Sequence, residues 1–247
     1  MTGELRVIPL LGLPELEEGD DLAQLIADAA RRAGGLEEGD VLVVAQKAVS
    51  KVEGRVVTLD GVEPSDRARE LAGEEDPRRM EVILRESERV VRERPPLVIS
   101  ETKHGFVCAS SGVDASNAKG PGTLVLLPLD PDASASRLRE RLAALIGVEV
   151  AVIVSDSFGR AWRQGTTDVA LGVAGFAPLL DLRGHRDSVG YELHATQIAV
   201  ADEIAGAAEL VMRKTEGIPA AIVRGLLLSG EGTGRDLLIP PERDLFR

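Results

Sequence analysis

The chain has 247 residues, 44% of them hydrophobic, and a formal net charge of −12; it can bury a substantial core, while its field repels nucleic acid and anionic membrane surfaces. The single cysteine, Cys108, excludes an intramolecular disulfide and a cysteine-built zinc site, and an aromatic content of 2% is too low for a base-stacking surface. Residues 1–9 lack the basic start and apolar core of a secretory signal, and no apolar run reaches membrane-spanning length, so the expected compartment is the cytoplasm.

Residues 5–9 read as a first strand. Asp21 with Gln24 forms a capping box that opens a helix with Leu22, Leu25, Ile26, Ala29 and Ala33 on one face, stopped by Gly34-Gly35. Residues 41–45 make a fully apolar strand. Pro64-Ser65 and Asp76-Pro77 start two helices, the second burying Met80, Ile83 and Leu84. Strands are expected near Val90-Val91 and over 97–100, with 106–109 returning through the turn at His104-Gly105. The second half reads as a strand over 123–127, a helix over about 134–146 and a strand over 148–154 that ends on Ser155-Asp156-Ser157. A glycine-containing strand over 169–176 follows, then a long helix from about Glu192 to Met212 with Ile198, Ala201, Ile204 and Val211 on one stripe. A last buried strand covers 220–223, and the tail from residue 230 is irregular. The alternation predicts an α/β or α+β fold, and with no repeat and no long linker, one domain over 1–247.

Familiar catalytic templates are missing: there is no P-loop, no G-x-S-x-G elbow and no H-E-x-x-H helix. Cys108 beside His104 has the elements of a nucleophilic pair, but a cysteine between Val107 and Ala109 on a strand reads first as a core thiol. The remaining candidates are carboxylates near the ends of buried strands: Asp114, within the small polar run from Ser110 to Asn117, and Asp156. A carboxylate on a rigid strand end suits Mg2+ or Mn2+; an Asx-turn or helix cap is the structural alternative. Lys47 and Lys51 follow the 41–45 strand and suit a polyphosphate, or else form a solvated face. Arg160 and Arg163 surround the only tryptophan, Trp162, and suit an acidic substrate or a surface ion-pair patch. The run Gly230-Glu231-Gly232-Thr233-Gly234 reads as a mobile loop.

Several segments in this order resemble the coenzyme F-420-0:L-glutamate ligase family, the gamma-glutamyl ligases of CofE type. They are Leu11-Gly12-Leu13-Pro14, Glu38-Gly39-Asp40 with its strand and Lys51, Gly112 to Asn117, Leu127 to Asp132, Asp156 to Arg160, Val200 to Ile204, and Gly217-Ile218-Pro219 leading to Val223-Arg224-Gly225. The resemblance spans nearly the whole chain. It implies an α+β fold of mixed sheets with packed helices and no P-loop, and a homodimer. The implied activity is GTP-dependent addition of L-glutamate to the deazaflavin precursor through an acyl phosphate, followed by extension of a gamma-linked tail. Mg2+ or Mn2+ would be required, with K+ as a further candidate ion.

On the same resemblance, Asp114 and Asp156 would be catalytic metal ligands, joined by Ser157 and Glu216. Leu11, Gly12, Leu13, Pro14, Gln46, Lys47, Lys51, Asn117, Lys214, Thr215, Glu216, Gly217 and Ile218 would contact the nucleotide, and Arg160 and Arg163 the substrate. Two departures stand out. The loop from Met212 to Glu216 is shorter than in archaeal relatives, so either Glu216 completes a second metal site or Lys214 puts a fixed charge there. The reductase domain fused to some bacterial relatives is not expected here. The alternatives are a ligase for another carboxylate acceptor and a nucleotide-binding regulator without turnover.

Overall fold

The computed structural model describes residues 3–245. The ends of the 1–9 segment and of the irregular tail lie outside that range. In chain order the elements are β1 (Arg6–Pro9), α1 (Leu22–Arg32), β2 (Val41–Ala45), α2 (Gln46–Val52), β3 (Val56–Thr58), α3 (Asp66–Ala72), α4 (Pro77–Glu86), β4 (Ser87–Arg94), β5 (Leu97–Thr102) and β6 (Val107–Ala109). There follow β7 (Thr123–Val125), α5 (Pro131–Ile146), β8 (Ala151–Arg160), β9 (Arg163–Ala174), β10 (Leu180–Asp181), β11 (Gln197–Ile198), α6 (Val200–Met212) and β12 (Ala220–Arg224). The fold is α+β with mixed sheets. Among the described residues no helix is long and apolar enough to cross a membrane.

The main sheet runs β1-β12-β2-β8-β9. Only β2 and β8 are parallel; the other neighbours are antiparallel. Strand periodicity sends alternate residues to opposite faces, and both faces are apolar because both are covered. Leu42, Val44, Val152, Val154 and Ile222 pack against α1, α2 and α5, while Val41, Val43, Ile153 and Val223 pack against α6. Full burial of each such side chain is worth about 1.5–3 kcal/mol. Helix α5 approaches β9 so closely that a Cβ at Gly172 would strike the Pro131 carbonyl. A second lobe holds the sheet β4-β5-β6, the pair β3-β7 and helices α3 and α4 around Leu71, Met80, Ile83, Val98, Val113 and Leu124. Asp114 forms an isolated bridge to Val125, which fixes it beside β7.

Four sequence expectations are corrected. Strand β8 does not end at Ser155 but continues to Arg160, because Ser155 to Gly159 find partners from Ala170 back to Thr166 after a register shift at Val154/Ser155. Helix α6 starts at Val200, not Glu192: Ile198 and Gln197 pair with Leu180 and Asp181 instead. The capping box is half formed, since Asp21 accepts from the Gln24 amide but the Gln24 carboxamide donates to Asp28. Finally, the glycine run is anchored. The Gly234 N–H donates to Asp132 Oδ1 at 2.6 Å, that same oxygen accepts from Val173 N–H, and a Cβ at Gly234 would meet the Leu171 carbonyl.

Candidate active site

Strands β2 and β8 run in parallel and bring Ala45 beside Ser155 at one end of the sheet. There β2 turns directly into α2 while β8 continues outward, so the chain diverges and leaves a half-open cleft of about 930 Å³, counting the solvent at its mouth. Openings at the carboxyl ends of parallel strands are where α/β sheets commonly hold ligands. The wall is formed by Pro14, Glu15 and Leu16; by Lys47, Ala48 and Lys51 of α2; by Asn117; by Ser155, Asp156, Ser157 and Asp168 of the β8–β9 hairpin; and by residues of α6 and the loop behind it, including Glu209, Arg213, Lys214, Gly217 and Ile218. Lys47, Lys51, Arg213 and Lys214 offset Glu15, Asp156, Asp168 and Glu209, so the cleft is locally balanced within an anionic molecule.

Lys47 links the two lobes. Its Nζ donates to Asp114 Oδ2 at 2.5 Å and to Ser116 Oγ at 2.6 Å, and the Ser116 N–H donates to Asp114 Oδ1 at 2.7 Å. Lys214 Nζ stands 3.8 Å from the same carboxylate. Burial alone would raise the pKa of Asp114, but Lys47 and the Ser116 amide outweigh it and pull the value down to about 2. Asp156 behaves oppositely. Burial, reinforced by the charges of Asp168 and Asp114, pushes it up to about 7 against the weaker pull of the Ser157 amide and Lys47. Among the described residues no side chain forms a salt bridge with Asp156.

The candidates named from the sequence separate clearly. Asp114, Asp156, Ser157, Lys47, Lys51, Asn117, Lys214, Gly217, Ile218 and Pro14 line the cleft or bond to its wall, Lys51 being paired with Glu15. Leu11 and Gly12 sit back from it, with their carbonyls held by Arg32, and Leu13 packs on the main core. Gln46 is buried: its Oε1 accepts from Ser50, and its Nε2 has no partner. Thr215 and Glu216 are exposed and absent from the wall, leaving Lys214 as the loop residue facing Asp114. Arg160 and Arg163 lie at the exposed tip of the β8–β9 hairpin with Trp162, outside the cleft. Cys108 is a core thiol pushed up to about 12 by burial, and His104 bonds instead to the carbonyls of Pro128 and Leu129.

Sequence reasoning missed Ser155, Asp168, Glu209 and Arg213 on the wall. Asp168 was readable had the hairpin been recognised, because Thr167-Asp168-Val169 then falls opposite Phe158-Ser157-Asp156. Arg213 gives no sequence signal. It caps α6 at φ 50°, ψ 142°, a conformation that costs a side-chain-bearing residue energy. Asn117, also on the wall, sits at φ 57°, which asparagine tolerates better.

A divalent ion suits this donor set. Mg2+ and Mn2+ take one or two carboxylates and complete their shells with water and phosphate oxygens. The cleft offers hard oxygens and, in Asp156, a half-buried carboxylate lacking a salt-bridge cation among the described residues. Among the described residues no group of three or more His, Cys, Asp or Glu side chains forms an all-protein cage.

Fold and cleft together define an α+β chain without a P-loop whose lysines and carboxylates converge where two parallel strands part. The family model for F420-0:gamma-glutamyl ligase matches residues 11–225, and the chain belongs to that family. It is 48% identical, over 98% of both chains, to the coenzyme F420:L-glutamate ligase of Methanopyrus kandleri. It is 43% identical to the proteins of that name from Methanothermobacter thermautotrophicus, over 98% of this chain and 99% of the relative, and from Methanocaldococcus jannaschii, over the full length of each.

Proposed function

We propose that the chain is a coenzyme F420:L-glutamate ligase that uses GTP and a divalent cation. The observation that carries this reading is 48% identity across 98% of both chains to a relative of that name, and the cleft is chemically suited to the task. Transfer of a phosphoryl group from GTP to the acceptor carboxylate brings two anions together, which calls for positioned cations more than for a protein nucleophile. Lys47, Lys51, Arg213 and Lys214 supply fixed positive charge to the phosphates. Asp156 and Ser157, with Asp114 bonded to Lys47 of the wall, would hold the divalent ion, which when bound offsets phosphate charge and aligns the transferring group. The acceptor carboxylate oxygen attacks the γ-phosphorus and GDP leaves. The glutamate amine then attacks the acyl carbon, phosphate departs with the C–O bond, and the amine proton is lost to solvent or a carboxylate of the wall. Further rounds on the terminal glutamate extend the gamma-linked chain.

The test is direct. The protein with GTP, Mg2+ or Mn2+, L-glutamate and the deazaflavin precursor gives a product heavier by one glutamyl residue and one GDP per bond formed. A folded sample that releases no GDP and forms no amide refutes the proposal; GDP release with product only on a different carboxylate would reassign the acceptor.

A further inference from the structure

Asp168 is a buried carboxylate on the cleft wall, 4% exposed, to which neither motif nor family resemblance gives a role. It reaches across the hairpin from β9 to two hydroxyls of β8, accepting from Ser155 Oγ at 2.8 Å and from Ser157 Oγ at 2.7 Å. A serine hydroxyl carries one hydrogen and two lone pairs. Once the hydrogen is committed to a carboxylate, the oxygen can only accept in its remaining directions. Ser157 borders the cleft next to Asp156, so its oxygen is presented there as an acceptor, and an oxygen that cannot donate selects for a cation.

We infer that Asp168 is a positioning residue, which holds the Ser157 hydrogen and so fixes Ser157 Oγ as a cation acceptor in the cleft. The inference rests on the ligase reading for the identity of the cation, whether divalent metal or the ammonium of the amino-acid substrate. Asparagine at 168 keeps the shape but offers an N–H of its own, so a serine hydroxyl is turned outward as a donor and repels what it formerly bound.

The experiment compares the unaltered chain with Asp168→Asn, Ser157→Ala and the double variant. Mn2+ affinity is read from the paramagnetic resonance of free ion, and KM for L-glutamate is measured separately from kcat. Asp168→Asn is expected to weaken Mn2+ binding, or to raise the glutamate KM, by about 10- to 100-fold, and to add no further loss on top of Ser157→Ala, where there is no hydroxyl left to orient. The first response identifies the metal as the bound cation and the second the ammonium. Unchanged Mn2+ affinity and KM, or a full additional loss in the double variant, overturns the inference. If Asp168→Asn does not fold, neutron diffraction on the unaltered chain decides: deuterium between Ser157 Oγ and Asp168 supports it, and deuterium directed into the cleft overturns it. Lack of ligase activity in the unaltered chain refutes the ligase reading alone, since the hydroxyl orientation is read independently.

Discussion

Asp114 and Asp156 are drawn to one cleft by different lobes and titrate in opposite directions, which separates their contributions to stability. The pKa of Asp114 is lowered to about 2 from an ordinary 3.8, so its contribution is fully present above the unfolded value and is lost as pH falls through about 2. Asp156 is raised to about 7. Its contribution is present below the unfolded value of 3.8 and is lost as pH rises toward 7; above that, the ionised carboxylate burdens the metal-free fold. Asp156→Asn should therefore raise the melting temperature at pH 8 by at least about 2 °C while abolishing ligation, as thermal denaturation and a GDP-release assay would record. An unchanged or lower Tm contradicts the assigned burial cost. Asp114→Asn should leave the fold standing but lower turnover by about a hundredfold or more, and retained turnover would remove Asp114 from the machinery. Both carboxylates were legible because each stands among small polar residues beside an apolar run. Asp168 and Arg213 were not: one depends on a cross-strand register, the other on a backbone angle.

At the scale of elements, the site exists because β8 outlasts its apolar stretch. Residues 151–154 are held on both faces by helices, and the register shift at Val154/Ser155 then carries Ser155, Asp156 and Ser157 along the cleft while still paired to β9. Apolar runs and caps exposed most of the fold in the sequence. Strand β2 was read to the residue, and Ser65 and Asp76 cap the helices that their positions announced, whereas α5 starts at Pro131 on an Asp130 cap, ahead of the expected start near Ser134. What escaped was pairing outside apolar runs: the polar half of β8, and the β10–β11 pair, where Ile198 falls on the helical stripe of Ala201 and Ile204 while its backbone is extended. Close approach also leaves no periodic trace. Gly172→Ala must push α5 off β9 and should destabilise by about 1–3 kcal/mol in denaturant unfolding; a neutral result would mean that the Pro131 turn gives way freely. Arg213→Gly relieves a conformation costing about 1–3 kcal/mol, a gain larger than the entropy that glycine loses, so Tm should rise by a few degrees while activity falls. A fall in Tm would contradict the strain.

Over the whole molecule, the net charge of −12 repels an anionic nucleotide, and the cations of the cleft offset that repulsion locally. Three of the five lysines face this cleft, and GTP affinity should accordingly weaken as salt screens them. The homodimer proposed from the resemblance is checked by sedimentation at micromolar concentration, where a species of twice the chain mass is expected. The central claim is that lysines from α2 and the α6 loop, with carboxylates from both lobes, together hold a metal–nucleotide. It is tested most directly by a crystal structure with GDP and Mn2+, with anomalous scattering collected at the manganese edge. An anomalous peak bounded by Asp156 and Asp114 is expected, with the diphosphate against Lys47, Lys51 and Lys214. A manganese peak and diphosphate bound elsewhere, as in the neighbouring hollow between Glu17 and Lys119, with the β2–β8 cleft left empty, would contradict it.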